Sequence, residues 1–229
     1  MNRAEKKDST TFAKGSTSMP ILLIWALVGT VVLTAALHAG DEPPVMPTKT
    51  AVNAAQSLSG TCALAPLAAA PTPAKIPGYA ELDPSTGLHV TGTMKEIDIA
   101  HYRLEVAGKV SRPLSLTFDE LRCMPRVQAR PTLICPGFFT DVATWAGTPL
   151  KYIVDLAGPQ EGATGVRLTG ADNYSVSRSL SDATAPKNFL AYEWEGKALP
   201  RLHGFPVRAI FPGLEGNQWV KWVVKIEVF

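Results

Sequence analysis

The stretch LAYEWEGKALPRLHGFPVRAIFPGLEGNQWVKW, residues 190–222, decides how the rest of this 229-residue chain is read. Its opening, in NFLAYEWEG, is dense in aromatic and aliphatic residues and stops at Gly196, the composition of a short strand entering a turn. In HGFPVRAIFPG, Gly204 and two prolines hold an unusual backbone around Arg208, because proline fixes φ and glycine reaches conformations closed to other residues. A guanidinium in such a place suits bidentate binding of a phosphate, with Lys221 as a second cation for the same face, although by itself an Arg and Lys pair on neighbouring strands reads equally as solvated surface. The end of the chain, WVKWVVKIEVF, alternates: Val220, Trp222, Val224, Ile226 and Val228 are expected to face one way and Lys221, Lys225 and Glu227 the other.

Toward the N-terminus the same short-strand pattern continues. Tyr102, Leu104 and Val106 alternate with polar or small residues until Gly108, which predicts a half-buried strand. Thr117 with Glu120 three residues on is a capping box, opening a short helix that Pro125 cannot continue. Thr148 and Pro149 begin a second helix, KYIVDLAG, stopped by Gly158, and VRLTG supplies a further strand. Helices scattered among antiparallel-looking strands, without regular strand and helix alternation, imply an α+β domain, mostly β-sheet with short helices.

The first part of the chain is different in kind. Residues 20–37 carry no charge, with Arg3, Lys6, Lys7 and Lys14 before them and Asp41 and Glu42 after. The length is at the short end for a bilayer span, and the charge asymmetry puts the N-terminus in the cytoplasm. The expected organisation is a cytoplasmic N-terminus over 1–19, a transmembrane anchor or signal segment over 20–39, a Pro/Ala-rich linker over 40–77, and a folded domain over 78–229. An uncleaved anchor is favoured, because Leu37 fits poorly in a signal-peptidase site. The expected location is the inner membrane, with the folded domain periplasmic. Lys and Arg total 22 against 20 acidic residues, with no basic run, which argues against a nucleic-acid partner.

Three cysteines, at 62, 123 and 135, form no CxxC or CxxCH pair, so zinc, thioredoxin-like and covalent haem chemistry are not indicated. Cys62 reads as a plain thiol in the linker and Cys123 as a small buried hydrophobe. Cys135, in PTLICPGFF, sits where a strand gives way to a loop; local pattern alone assigns it no more than a packing role.

Residues 190–222 resemble the C-terminal half of the molybdopterin-binding domain of the sulfite oxidase family. The order of parts agrees: a YRLxVxG strand (residues 102–108), an LSLxxDEL helix (114–121), a cysteine, then WxGxPL at Trp145, Gly147, Pro149 and Leu150. The resemblance covers about 90–229. It implies a sulfite oxidase-type fold, a molybdenum-molybdopterin cofactor and a molybdopterin-dependent oxidoreductase. It implies that Cys135 ligates the metal, that His203 and Arg208 bind the pterin and its phosphate, and that Trp219, Val220 and Lys221 close over it. Tyr174 matches a tyrosine on the substrate side, Asp172 falls near the pterin, and His89 lies where the family has a histidine-rich segment. A soft thiolate beside a dithiolene is a coherent ligand set for such a metal.

The chain departs from the family pattern in two places: the histidine-rich segment before the first strand is absent, with His89 about where it would be, and the residues after the cysteine differ. After the cysteine it reads CPGFFTDVATW, without the asparagine and arginines expected there, so sulfite is a poor fit and Phe138 and Phe139 point to a more apolar approach; Arg130 and Arg178 are the remaining candidates for charge. The expected substrate is a small neutral or weakly charged molecule that gives or accepts an oxygen atom. Electrons then pass to or from a cytochrome-type or other membrane redox partner. The competing reading is a non-catalytic subunit that keeps the cofactor fold for binding or assembly in a membrane redox complex, and Cys135 distinguishes the two.

Overall fold

A computed structural model describes residues 62–229. Its elements run in the order β1 (Leu82–Asp83), β2 (Leu88–His89), β3 (Leu104–Gly108), β4 (Leu114–Leu116), α1 (Phe118–Arg122), β5 (Val127–Ala129), β6 (Thr132–Cys135), β7 (Phe139–Val142), β8 (Trp145–Pro149), α2 (Leu150–Ala157), β9 (Gly165–Gly170), β10 (Ser175–Ser179), α3 (Leu180–Ala183), β11 (Phe189–Trp194), β12 (Lys197–Ala198), β13 (Arg208–Ile210) and β14 (Val223–Val228). Sheet dominates and the helices are short, as the sequence pattern requires.

Two five-stranded sheets carry the core. The first has the order β10-β9-β14-β3-β4, in which only β14 and β3 run parallel. In the second, β5 and β8 line one edge of β11 while β12 and β13 share the other. Leu104, Ile153, Leu168, Phe189, Tyr192 and Trp222 are among the large side chains fully withdrawn from solvent. Each helix ends as its sequence dictates. Thr117 accepts from the Glu120 amide and the Glu120 carboxylate accepts from the Thr117 amide, closing the expected capping box. Helix α2 stops at Gly158, which takes the left-handed conformation.

The terminal segment departs from simple alternation. Trp222 has φ +52 and β14 shifts register between Val223 and Lys225. Val220, Lys221, Trp222 and Val223 are consequently all buried, so Lys221 turns inward just ahead of the strand instead of facing away from Val220 and Trp222. A period-2 reading assumes an unbroken strand, and the bulge cancels it.

The cysteine reading is also corrected. Cys62 and Cys123 form a disulfide, with Cα atoms 5.8 Å apart, leaving Cys135 as the free cysteine. Leu67 and Ala69, placed in the linker by composition, pack against the core. The low-complexity pattern hid this, because the segment is fastened covalently rather than by a large apolar face of its own. No described helix is long and apolar enough to cross a membrane; residues 20–39 lie outside the described part.

Candidate active site

A cleft of about 210 Å³ opens where the β6–β7 hairpin, the β1–β2 hairpin and the loop leading into β14 meet. Its lining includes Cys135, Asp172, Tyr174, His203, Arg208, Trp219, Lys221 and His89, eight of the nine side chains singled out from sequence. Val220 is the exception. It is fully buried behind the cleft, and its carbonyl accepts from the Ala209 amide at 2.8 Å, tying the loop to β13.

The basic wall is built by close backbone approach. Gly204 has φ +115, and a Cβ there would stand 3.2 Å from Arg208 Cβ and from Lys221 Cα and Cβ. Only glycine lets these segments meet. Arg208 is 4% exposed, and its guanidinium lies over the rings of Trp145 at 5.2 Å and Trp219 at 5.7 Å. One of its terminal nitrogens donates to the His203 carbonyl at 3.3 Å, while buried Nε has no partner among the described residues. Lys221 Nζ donates to the carbonyls of Thr91 at 2.8 Å and Leu202 at 2.9 Å.

Neither cation touches a carboxylate within ion-pair distance among the described residues. Burial pushes Arg208 down to about 10, opposed by the charge of Asp141. Burial, and then the positive charge of Arg208, hold Lys221 well below the usual lysine range, with Asp172 and Asp141 opposing. Two buried, unneutralised cations are costly unless an anion joins them.

His203 is 1% exposed; its Nε2 stands 3.1 Å from Asp83 Oδ2 and 3.1 Å from Thr86 Oγ1. Burial, reinforced by Lys221 and Arg208, pushes it down to about 3 despite Asp83, so the ring is neutral at ordinary pH. On the opposite wall, Asp141 accepts from the His89 backbone amide at 2.8 Å and pairs with His89 Nδ1 at 2.7 Å. The His89 ring stacks on Phe139 with centroids 4.5 Å apart.

Cys135 ends β6, opposite Phe139 across the hairpin, and its thiol is partly exposed. Gly137, at φ +78, makes the turn between them possible. Tyr174 stands at the mouth, its hydroxyl donating to the Asn217 carbonyl at 2.6 Å, and its amide donates to Asp172 Oδ1 at 3.1 Å. Phe138 is exposed and meets Tyr79 edge-on. Arg178 donates to Gln218 and packs on Phe211, Arg130 lies 3.9 Å from Glu195, and neither lines the cleft. Sequence reasoning missed Asp83, Thr86 and Asp141, which are isolated polar residues in loops and hairpins with no motif to mark them; Trp145 was noticed only as part of WxGxPL.

Residues 91–229 match the family model of the oxidoreductase molybdopterin binding domain, well over half of the chain. The chain belongs to that family. Among curated relatives of this molybdopterin-binding domain, a putative protein-methionine-sulfoxide reductase subunit YedZ1 of Azospira oryzae is 32% identical over 57% of this chain and 50% of that protein. Human mitochondrial sulfite oxidase is 35% identical over 58% of this chain and 30% of that protein. The crystal structure of the sulfane dehydrogenase SoxCD from Paracoccus pantotrophus superposes with a TM-score of 0.57 at 27% identity, covering 59% of this chain and 40% of that one. The chain thus spans half or less of the length of these relatives. It is a molybdopterin-binding domain of the sulfite oxidase type. The cleft fits that cofactor: a free thiol faces it, and two buried cations, one with an unpartnered Nε, await an anion at its depth.

Proposed function

We propose that this protein is a membrane-anchored, extracytoplasmic molybdenum-pterin oxidoreductase whose substrate is a small neutral or weakly charged oxygen donor or acceptor rather than sulfite. The observation that carries this reading is the pairing, in one cleft, of the free Cys135 thiol with the unneutralised cations of Arg208 and Lys221. Cys135 would hold the metal as a thiolate, and Arg208 and Lys221 would hold the phosphate of the pterin tail. An arriving phosphate would favour the positive charge on Lys221 that burial works against. Trp219 would close over the cofactor beside Arg208, and the neutral His203 ring would support the pterin without adding charge. Asp172 and His89, which also line the cleft, would stand beside the pterin. When bound, the cofactor supplies two-electron oxygen-atom transfer.

Substrate would enter past Tyr174, Phe138 and Phe139. Arg130 and Arg178 do not line that approach, so the protein offers an anion little charge at the entrance. A neutral sulfoxide, the substrate class for which the Azospira relative is named, suits it better. A disulfide is at home in an oxidising compartment, which supports export of the domain, and residues 20–39 would anchor it beside a membrane-bound or cytochrome-type redox partner.

The test is metal and pterin analysis of the full chain from a molybdopterin-competent host, followed by turnover of a dialkyl sulfoxide and of sulfite. About one molybdenum per chain is expected, with Cys135→Ser losing the metal or its thiolate signature and the sulfoxide turned over in preference. Folded protein devoid of molybdenum and pterin would leave the non-catalytic reading standing.

A further inference from the structure

The family match begins at residue 91, yet the hairpin just before it reaches into the site. Asp83, in β1, is 2% exposed, and its carboxylate accepts from the Ser85 amide at 3.0 Å, the Ser85 hydroxyl at 2.7 Å and the Thr86 hydroxyl at 3.0 Å. Its backbone carbonyl accepts from the amides of Thr86 and Gly87, which closes the β1–β2 turn. A buried carboxylate in a turn already so well supplied with donors does not need a histidine for its own stability. Nevertheless His203 Nε2, 120 residues away in sequence, stands 3.1 Å from Asp83 Oδ2.

We propose that Asp83 is a positioning residue for the cofactor site: it fixes His203 in the tautomer with the proton on Nε2, so that Nδ1 presents a lone pair to the pterin. The chemistry is one-directional. Hydrogen bonds from Ser85, His203 and Thr86 hold Asp83 below its ordinary value although burial alone would raise it, so it is an ionised acceptor, while the His203 ring is neutral. One proton is then available to the ring, and the carboxylate places it on Nε2. Nδ1 has no hydrogen-bond partner among the described residues, and His203 is among the residues lining the cleft, whereas Asp83 and Thr86 are not. A ring nitrogen that can only accept selects an N–H or amino edge of a heterocycle and refuses a carbonyl edge. The hairpin ahead of the family domain thereby sets the donor and acceptor pattern that the pterin meets.

This inference rests on the proposed cofactor role of His203, and two readouts separate the failure of one from the failure of the other. Nitrogen NMR of the imidazole in the cofactor-free wild-type chain is expected to show Nε2 protonated and Nδ1 unprotonated; the opposite tautomer overturns the inference by itself, whether or not any variant folds. Asp83→Asn, whose amide can donate to Nε2, is expected to shift His203 toward the Nδ1-protonated form. It should also release pterin roughly tenfold or more faster than wild type from otherwise folded protein, with Asp83→Glu recovering part of the retention. Wild-type protein rich in pterin and Asp83→Asn retaining it equally well would overturn the positioning role alone. Wild-type protein that never carries pterin would overturn the cofactor reading, and this inference with it.

Discussion

His203, Arg208 and Lys221 are held at a depth where charge is expensive, and their protonation is tied to folding. The folded-state value of His203, about 3, lies below the ordinary 6.5. Between those values the unfolded chain takes up a proton that the folded chain refuses, so stability is full above 6.5 and falls as the pH is lowered through the window. Asp83, also held below its ordinary value, acts in the same direction at still lower pH. Cofactor-free protein is expected to lose about 2 kcal/mol between pH 6.5 and 4.5, and His203→Gln should flatten that slope in urea titrations. An identical slope in the variant would show that other groups control acid unfolding.

At the scale of elements, the loop from Leu202 into β14 is the part that composition could not foresee. The strands at Leu104–Gly108 and Gly165–Gly170, the Thr117 and Glu120 capping box and the Gly158 stop follow from periodicity and capping rules that act over a few residues, and the structure has them close to where those rules put them, whereas Leu114–Leu116, read as part of a helix, forms strand β4. The inward turn of Lys221 does not follow from any such rule. It depends on the left-handed Trp222, on the register shift in β14, and on Gly204 packing against Lys221, three features that no period encodes. Cys135, His203, Arg208 and Lys221 were legible because they sit in a motif; Asp83 and Asp141 were not, because their roles exist only once distant hairpins meet. Gly204→Ala puts a methyl group against Arg208 and Lys221 at a φ that L residues avoid, and is expected to cost about 1–3 kcal/mol. Denaturant midpoints check this, with pterin retention falling in parallel. A midpoint equal to wild type would mean that the loop can rearrange freely.

Over the whole molecule, the disulfide between Cys62 and Cys123 changes what counts as domain and what counts as spacer. Sixty-one residues of sequence separate its ends, and the closed loop contains Asp83, Thr86 and His89. Cross-linking a loop of that length removes unfolded-chain entropy equivalent to about 4 kcal/mol in the chain-entropy account. The same bond reports on compartment. Alkylation of thiols in intact cells, followed by denaturation without reductant, is expected to mark one cysteine per chain, Cys135, if the domain is exported. Three marked cysteines would place it in a reducing compartment and remove the argument for export.

The tryptophans in the cleft carry a practical consequence. Trp145 and Trp219 flank the Arg208 guanidinium, and Lys221 Nζ lies 5.4 Å from the Trp222 ring, so three of the chain's five tryptophans stand where the pterin would arrive. A conjugated heterocycle entering among these indoles would draw off their emission, giving the molecule an intrinsic optical gauge of its own loading, readable in real time without a label.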